Sequence, residues 1–300
     1  NIQIQKLRTQ KFGYHYQFTR NMLYVNQQNA PYTETALLSG IAATDWSWSG
    51  LFADYNQDGE QDLFISNGIP KRPNDLDYIK FVSNDQIKKK INNTKLVDQK
   101  ALDMMPSGKV QNYIFKGNKN LVFENKSKSW IQDKKDISGA TALGDLDNDG
   151  DIDIVVNTIN ENVSLYINQT NEKASYLKLK FKHPSPNTFG IGTKVFSYHK
   201  EELQYKELYT VRGFQASSEP MIHFGYGAIK KIDSITIVWP NKTYQTIKDV
   251  GLNQTMVISP ENTKPFNYQS LFKKETPLFK KSTTNLGINF THVEDNYSDF

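Results

Sequence analysis

The sequence predicts a mostly β protein, and three of its features carry that expectation. An acidic motif occurs twice and each time runs into β-branched and apolar residues. Apolar and polar residues alternate with period two through much of the stretch from Ser175 to Ile258. Tyr (16) and Phe (17) are plentiful while Ala is scarce, a balance that suits strands and polar turns better than helix bundles.

Length and charge set the outer bounds. The 300 residues suffice for one large or two ordinary domains. A formal charge of +4, with lysines dispersed apart from Lys88-Lys89-Lys90 and a few pairs, does not point to a nucleic-acid partner. Cysteine is absent, which removes disulfides, a thiol nucleophile and Cys-based zinc sites and leaves the redox compartment open. No run of about 18 apolar residues occurs, so no transmembrane segment is expected. The opening Asn1-Ile2-Gln3-Ile4 has neither an initiator Met nor a signal-like pattern, and both ends are expected to be cuts within a longer chain.

The duplicated motif aligns Asp54-Tyr55-Asn56-Gln57-Asp58-Gly59-Glu60-Gln61-Asp62 with Asp145-Leu146-Asp147-Asn148-Asp149-Gly150-Asp151-Ile152-Asp153. At ordinary residue frequencies five such positions coincide once in ~10⁶ starts, so two matches in one chain call for a chemical cause. Calcium supplies one. It takes six to eight hard oxygens at about 2.3–2.6 Å, and a tight loop offers them from alternate residues around a left-handed Gly. That assigns Asp54, Asn56, Asp58 and Asp62 to one ion and Asp145, Asp147, Asp149 and Asp153 to another, with Glu60 and Asp151 contributing backbone carbonyls. Two Ca2+ sites are therefore expected. An EF-hand is excluded because its twelfth position is Ile65 or Val156 rather than Glu, and because strands rather than helices follow. A metal-free acidic turn is the alternative, Asp and Asn being ordinary turn formers.

Short strands between Asn-rich turns recur around these loops, at Asn21-Met22-Leu23-Tyr24-Val25-Asn26, Asn112-Tyr113-Ile114-Phe115 and Asn162-Val163-Ser164-Leu165-Tyr166-Ile167-Asn168. Ser47-Trp48-Ser49-Gly50 and Ser138-Gly139-Ala140 form matching approaches to the loops. Over roughly residues 20–170 the pattern resembles the FG-GAP, or VCBS-type, repeats of calcium-binding β-propellers. The resemblance implies propeller blades across 1–172, with calcium in a structural role at the loop carboxylates. Between the copies, a helical insertion is expected at about 70–108. Pro73-Asn74-Asp75 would cap it, and Leu76, Ile79 and Val82 would share a face with Ile87 and Ile91. It reads either as a flap that shapes a ligand site or as a packing helix.

Strand-like segments then follow at Tyr176–Phe181, Lys194–Tyr198, Gln204–Tyr209, Ser234–Trp239 and Gln254–Ile258, predicting an antiparallel β-sandwich over 173–262. This region resembles the ASPIC/UnbV domain through Gly190-Ile191-Gly192-Thr193-Lys194-Val195, Arg212-Gly213-Phe214-Gln215, His223-Phe224-Gly225-Tyr226-Gly227 and Val238-Trp239-Pro240. Asn241 stands where the family pattern has Gly. The resemblance assigns no biochemical role. Gly190-Ile191-Gly192 lacks the third Gly and the following helix of a dinucleotide site. Arg212 and His223 are the ligand candidates, against the plainer reading that both are satisfied structural residues. The segment 263–300, with Leu278-Phe279 and Leu286–His292, reads as the start of a further propeller segment, since two blades cannot close a ring of roughly four to eight.

The five histidines are scattered, and neither His-Glu-x-x-His nor Gly-x-Ser-x-Gly occurs, so no catalytic constellation is visible. The expectation is a calcium-stabilised adhesion or binding module, extracellular or on the cell surface and outer-membrane associated if bacterial, that recognises a glycan or protein ligand. Loops of this charge fill most readily where calcium is abundant. Part of a calcium-dependent polysaccharide-active enzyme, or a purely structural scaffold, is the alternative. Trp46 and Trp48 either present their rings to a ligand or pack between blades.

Overall fold

In a computed structural model the described residues are 2–14, 18–27, 30–83, 102–131, 134–170, 174–271, 277–282, 287 and 290–293. The chain is mostly β, and among the described residues no sheet closes on itself. Two compact units are present, Asn1–Pro265 and Phe266–Phe300.

The first unit opens with helix α1 (Ile2–Phe12) and a hairpin of β1 (Tyr24–Gln27) with β2 (Ala30–Glu34). Strands β3 (Ser47–Ala53) and β4 (Asp62–Asn67) follow, joined by the first acidic loop. In β3 the alternate residues Ser49, Leu51 and Ala53 are buried, as a half-buried strand requires, whereas β4 is buried at every residue. The reason is that β4 is covered on both faces. Phe64 packs with Leu51, Ile114, Leu143 and Ile154 on one side, and Leu63 and Ile65 pack with Ala36, Ile41, Phe115 and Phe123 on the other.

Short strands β5 (Ile69–Lys71) and β6 (Ser107–Gly108) pair at the base of the insertion. Within it, α2 (Leu76–Val82) starts at Asp75, whose side chain accepts from the backbone N–H groups of Asp77 at 3.1 Å and Tyr78 at 3.0 Å. None of the α2 residues is buried. The expected partners Ile87 and Ile91, and the run Lys88–Lys90, lie outside the described residues. Strands β7 (Tyr113–Lys116) and β8 (Glu124–Asn125) complete the sheet β3-β4-β7-β8, followed by the single-turn helix α3 (Ser127–Trp130).

The second copy repeats the arrangement. Strand β9 (Ser138–Gly144) leads through the second acidic loop into β10 (Asp153–Thr158), and β11 (Ser164–Tyr166) completes a three-stranded sheet. The two hairpins share a register, with Ala53 opposite Asp62 in one and Gly144 opposite Asp153 in the other. Their loop backbones agree as well. Gln57 and Gly59 take positive φ of 57° and 96°, and their counterparts Asn148 and Gly150 take 62° and 103°. One conformation has been built twice from the same spacing.

The remaining strands are β12 (Ser175–Phe181), β13 (Lys194–His199), β14 (Glu202–Glu207), β15 (Ile222–Gly227), β16 (Lys231–Val238), β17 (Thr243–Gly251), β18 (Gln254–Ile258) and β19 (Lys264–Pro265). They form two sheets, β15-β12-β18 and β14-β13-β16-β17-β19, around a shared core of Leu177, Leu179, Phe181, Val195, Phe224, Ile235, Ile237 and Trp239. One pairing departs from the antiparallel expectation, for β12 and β18 run parallel, Leu177 opposite Gln254 and Phe181 opposite Ile258. The chain traverses the other sheet between them and so has the length to return in the same direction.

Among its described residues the second unit has one 3₁₀ turn, at Tyr268–Leu271, beside which the Phe266 and Tyr268 rings meet edge to face at 4.9 Å. Leu278 and Phe279 are exposed, and no strand occurs among the described residues of 277–293. Much of the expected Leu286–His292 strand lies outside them.

Candidate metal loops and the cleft beside them

Each acidic loop is pinned by its last carboxylate. Asp62 Oδ2 accepts from Tyr55 N at 3.0 Å while its Oδ1 accepts from Gly117 N at 2.9 Å. Asp153 does the same, Oδ2 accepting from Leu146 N at 2.7 Å and Oδ1 from Asn168 N at 2.8 Å. The position that the spacing assigns to the metal thus also ties each loop to the strand beyond it. Inside the loops, Asn56 Oδ1 and Asp147 Oδ1 accept from the residue two further on, at 3.2 and 3.3 Å, and Asp58 and Asp149 repeat the pattern toward Glu60 and Asp151. These Asx turns wind the side-chain oxygens inward.

The copies diverge at their first carboxylate. Asp54 turns both oxygens into its own loop, accepting from Asp58 N at 3.0 Å and Gly59 N at 2.9 Å. Asp145 instead pairs through Oδ2 with the ammonium of Lys178, which reaches across from β12, and its Oδ1 is buried with no hydrogen-bond partner. In this second loop, carboxylate oxygens of Asp145, Asp147 and Asp149 lie within 4.8 Å of one another. Three converging carboxylates, with an unpartnered oxygen on Asp145, fit a calcium ion. The first loop fits less completely, because Asn56 replaces a carboxylate and Lys116 Nζ already holds Asp58 Oδ2 at 2.8 Å. Asp151 is buried and its Oδ2 accepts from Thr170 N at 2.7 Å, while Glu60 is half-buried at the rim.

Burial governs the charges. It pushes the Asp54 carboxyl up to about 6 and the Asp62 carboxyl up to about 7, and it raises Asp153. Asp58 resists the same burial and falls below the usual carboxylate range, through its bonds to Lys116, the Glu60 N–H and Asn56. Lys206, whose strongest attraction is to Asp54, is driven down to about 8 by burial, with Arg212 opposing its charge.

Both loops dock on the sheet that carries β12 and β15. The Gly150 carbonyl accepts from Gln57 Nε2 at 3.2 Å and faces His223 Nε2 at 2.8 Å, so one oxygen joins loop to loop and loop to sandwich. Gly227 N donates to Gln57 O at 2.7 Å. Glycine is required at two contacts. A Cβ on Gly225 would overlap Asp54 Oδ2 and come within 2.6 Å of the Gln57 carbonyl carbon, and one on Gly150 would overlap the Tyr176 ring.

The two ligand candidates are brought to this junction. Arg212 donates through Nη2 to the Phe52 carbonyl and lies 5.6 Å from the centre of the Tyr209 ring. His223 is buried, stacks 5.9 Å from Tyr176, and is held far below the usual imidazole range, at about 3, by burial. Both line a cleft of about 270 Å³ bounded on one side by Phe52, Ala53 and Leu143 and on the other by Lys206. Trp48 sets its ring 4.7 Å from Phe214 and donates through Nε1 to Gly68 O at 2.6 Å, yet it is about as exposed as Trp46, 38% against 40%. Lys178 and Lys206 escaped the sequence reading. Each occupies a polar position in an alternating strand, which reads as a solvent-facing lysine unless the covering loop is known.

Residues 183–265 match the family model described as ASPIC and UnbV, in agreement with the sandwich motifs. The matched span includes Lys206, Arg212, His223 and Gly225, all on the side that meets the acidic loops. No curated protein matches the chain in sequence.

Proposed function

We propose that this chain is a calcium-stabilised binding module of an extracellular or cell-surface protein, in which FG-GAP-type propeller blades are joined to the ASPIC/UnbV domain. The observation that carries the reading is the second loop, where oxygens of Asp145, Asp147 and Asp149 converge within 4.8 Å and the buried Asp145 Oδ1 has no hydrogen-bond partner. The shared register and backbone conformation of the two hairpins support a repeated blade unit. Calcium would offset the repulsion among carboxylates that the fold gathers, with Asp147, Asp149 and Asp145 Oδ1 as its side-chain ligands and Asp153 closing the loop. Rigid loops on a docked sandwich give a preorganised surface, the property from which a binding protein gains most.

The test is a thermal melt of the chain in chelator and in millimolar calcium, beside Asp147→Ala and Asp149→Ala. Wild type gains about 2.7 kcal/mol at a hundredfold excess over its dissociation constant, and the variants gain less. Coincident curves at all calcium concentrations would reduce the loops to ordinary turns. A glycan array and a protein pull-down in saturating calcium test the binding role.

A further inference from the structure

The second acidic loop shares a carboxylate with the sandwich. Lys178 lies in β12, and its ammonium reaches across to Oδ2 of Asp145, the residue that opens the loop. Both side chains are shut off from water. Oδ1 of the same carboxylate is buried without a hydrogen-bond partner, and carboxylate oxygens of Asp145, Asp147 and Asp149 lie within 4.8 Å of one another. A cation gathered by these groups therefore shares Asp145 with a positive charge already in place.

The first loop is arranged differently. Asp54 has both oxygens bonded inside its own loop, to Asp58 N and Gly59 N. Lys116 holds Asp58 Oδ2 at 2.8 Å with 38% of its side chain exposed, and an exposed lysine trades a carboxylate for water at little cost. Lys178 has no such exit. It stands in the middle strand of its sheet, between His223 of β15 and Thr255 of β18, and parting it from Asp145 strands a buried charge. The neighbouring groups do not relieve it, since burial keeps His223 neutral and Lys180 is matched by Glu219 at 2.6 Å.

We propose that Lys178 sets the calcium affinity of the second loop, holding it below what the loop's carboxylates alone would give. The proposal rests on the calcium reading of the loops and names the residue that tunes one of them. Two cations on one carboxylate repel, and the buried setting strengthens the repulsion. The coupling is reciprocal, so the factor that the lysine takes from calcium binding is the factor that bound calcium takes from the ion pair. Sandwich and ion thus oppose each other at Asp145, and the loop fills over a higher range of calcium than it would without the lysine.

Calcium titrations followed by calorimetry decide it, on the wild-type chain and on Lys178→Gln, Lys178→Met and Lys178→Arg. The step that Asp149→Ala abolishes is the second loop's. Gln keeps a donor for Asp145 without the charge, Met removes both, and Arg keeps both. The two neutral variants tighten that step by about tenfold, and Arg leaves it within about threefold. In urea unfolding, the midpoint gap between wild type and Lys178→Met is smaller in saturating calcium than in chelator, whereas a lysine that only packs leaves the gap equal. An affinity unchanged or weakened in both neutral variants overturns the proposal and leaves the calcium sites standing. Absence of any calcium step in the wild type removes the loop reading and the proposal together. If neither neutral variant folds in chelator, the side-chain ammonium resonance of Lys178 in the isotope-labelled wild type decides, assigned by its loss in Lys178→Arg. It moves in step with the second loop's titration, and a resonance unmoved at saturation overturns the proposal.

Discussion

Asp145 and Lys178 form an ion pair closed to water at both ends, the carboxylate side chain being 0% exposed and the lysine side chain 3%. Removing one partner leaves a buried charge alone. Lys178→Met is expected to destabilise the chain by about 3–5 kcal/mol in chelator, and pairing it with Asp145→Asn to recover most of the loss. Urea unfolding of the four chains of this cycle measures it, and an unchanged midpoint in Lys178→Met would show that the pair carries no weight.

Gly225→Ala drives a methyl into Asp54 and the Gln57 backbone. The loop must lift from β15, at a cost of about 1–3 kcal/mol, the usual penalty of overpacking. Gly139→Ala is the control, since a Cβ there meets nothing within 4 Å. Equal stability of the two variants would mean that the first loop does not rest on the sandwich.

The loops should not bind calcium equally. Lys116 already occupies Asp58, and Asn56 contributes no charge, whereas the second loop has carboxylates at all its first three ligand positions. In a calcium titration followed by calorimetry, Asp149→Ala removes the tighter of two binding steps and Asp58→Ala the weaker. Loss of the tighter step in Asp58→Ala would reverse the order.

Arg20 donates to Glu34 at 2.6 Å and, with the Ala36 N–H, holds its carboxyl down at about 2 against an ordinary 4.5. A depressed acid contributes stability above its unfolded value and loses it as the pH falls through its folded one. The stability difference between wild type and Arg20→Gln is therefore full above pH 4.5 and shrinks toward pH 2. A difference that stays constant over that window in acid unfolding curves would exclude the linkage.

What the sequence made legible follows from locality. The Asp-x-Asx-x-Asp-Gly spacing dictates a loop whose left-handed Gly can be foreseen, and the alternation of Leu177, Leu179 and Phe181 reveals the inner face of β12. Strand β15 was harder to read, because Gly225 and Gly227 argue against a strand until one sees that Asp54 and Gln57 need that space. Lys178, Lys206 and Gln57 were invisible for a related reason. Their roles depend on which surface covers them, and that is decided by partners far along the chain, such as Gln57 with Gly150 and Lys178 with Asp145.

The lysine that pairs with the second loop arrives 33 residues after the aspartate it serves. During synthesis the loop is complete while the lysine is still to come, and domains generally fold as they emerge. For that interval the nascent hairpin depends on whatever cation its surroundings provide. The sandwich then acts as a late clasp, adding at Asp145 Oδ2 one positive charge that is covalently its own.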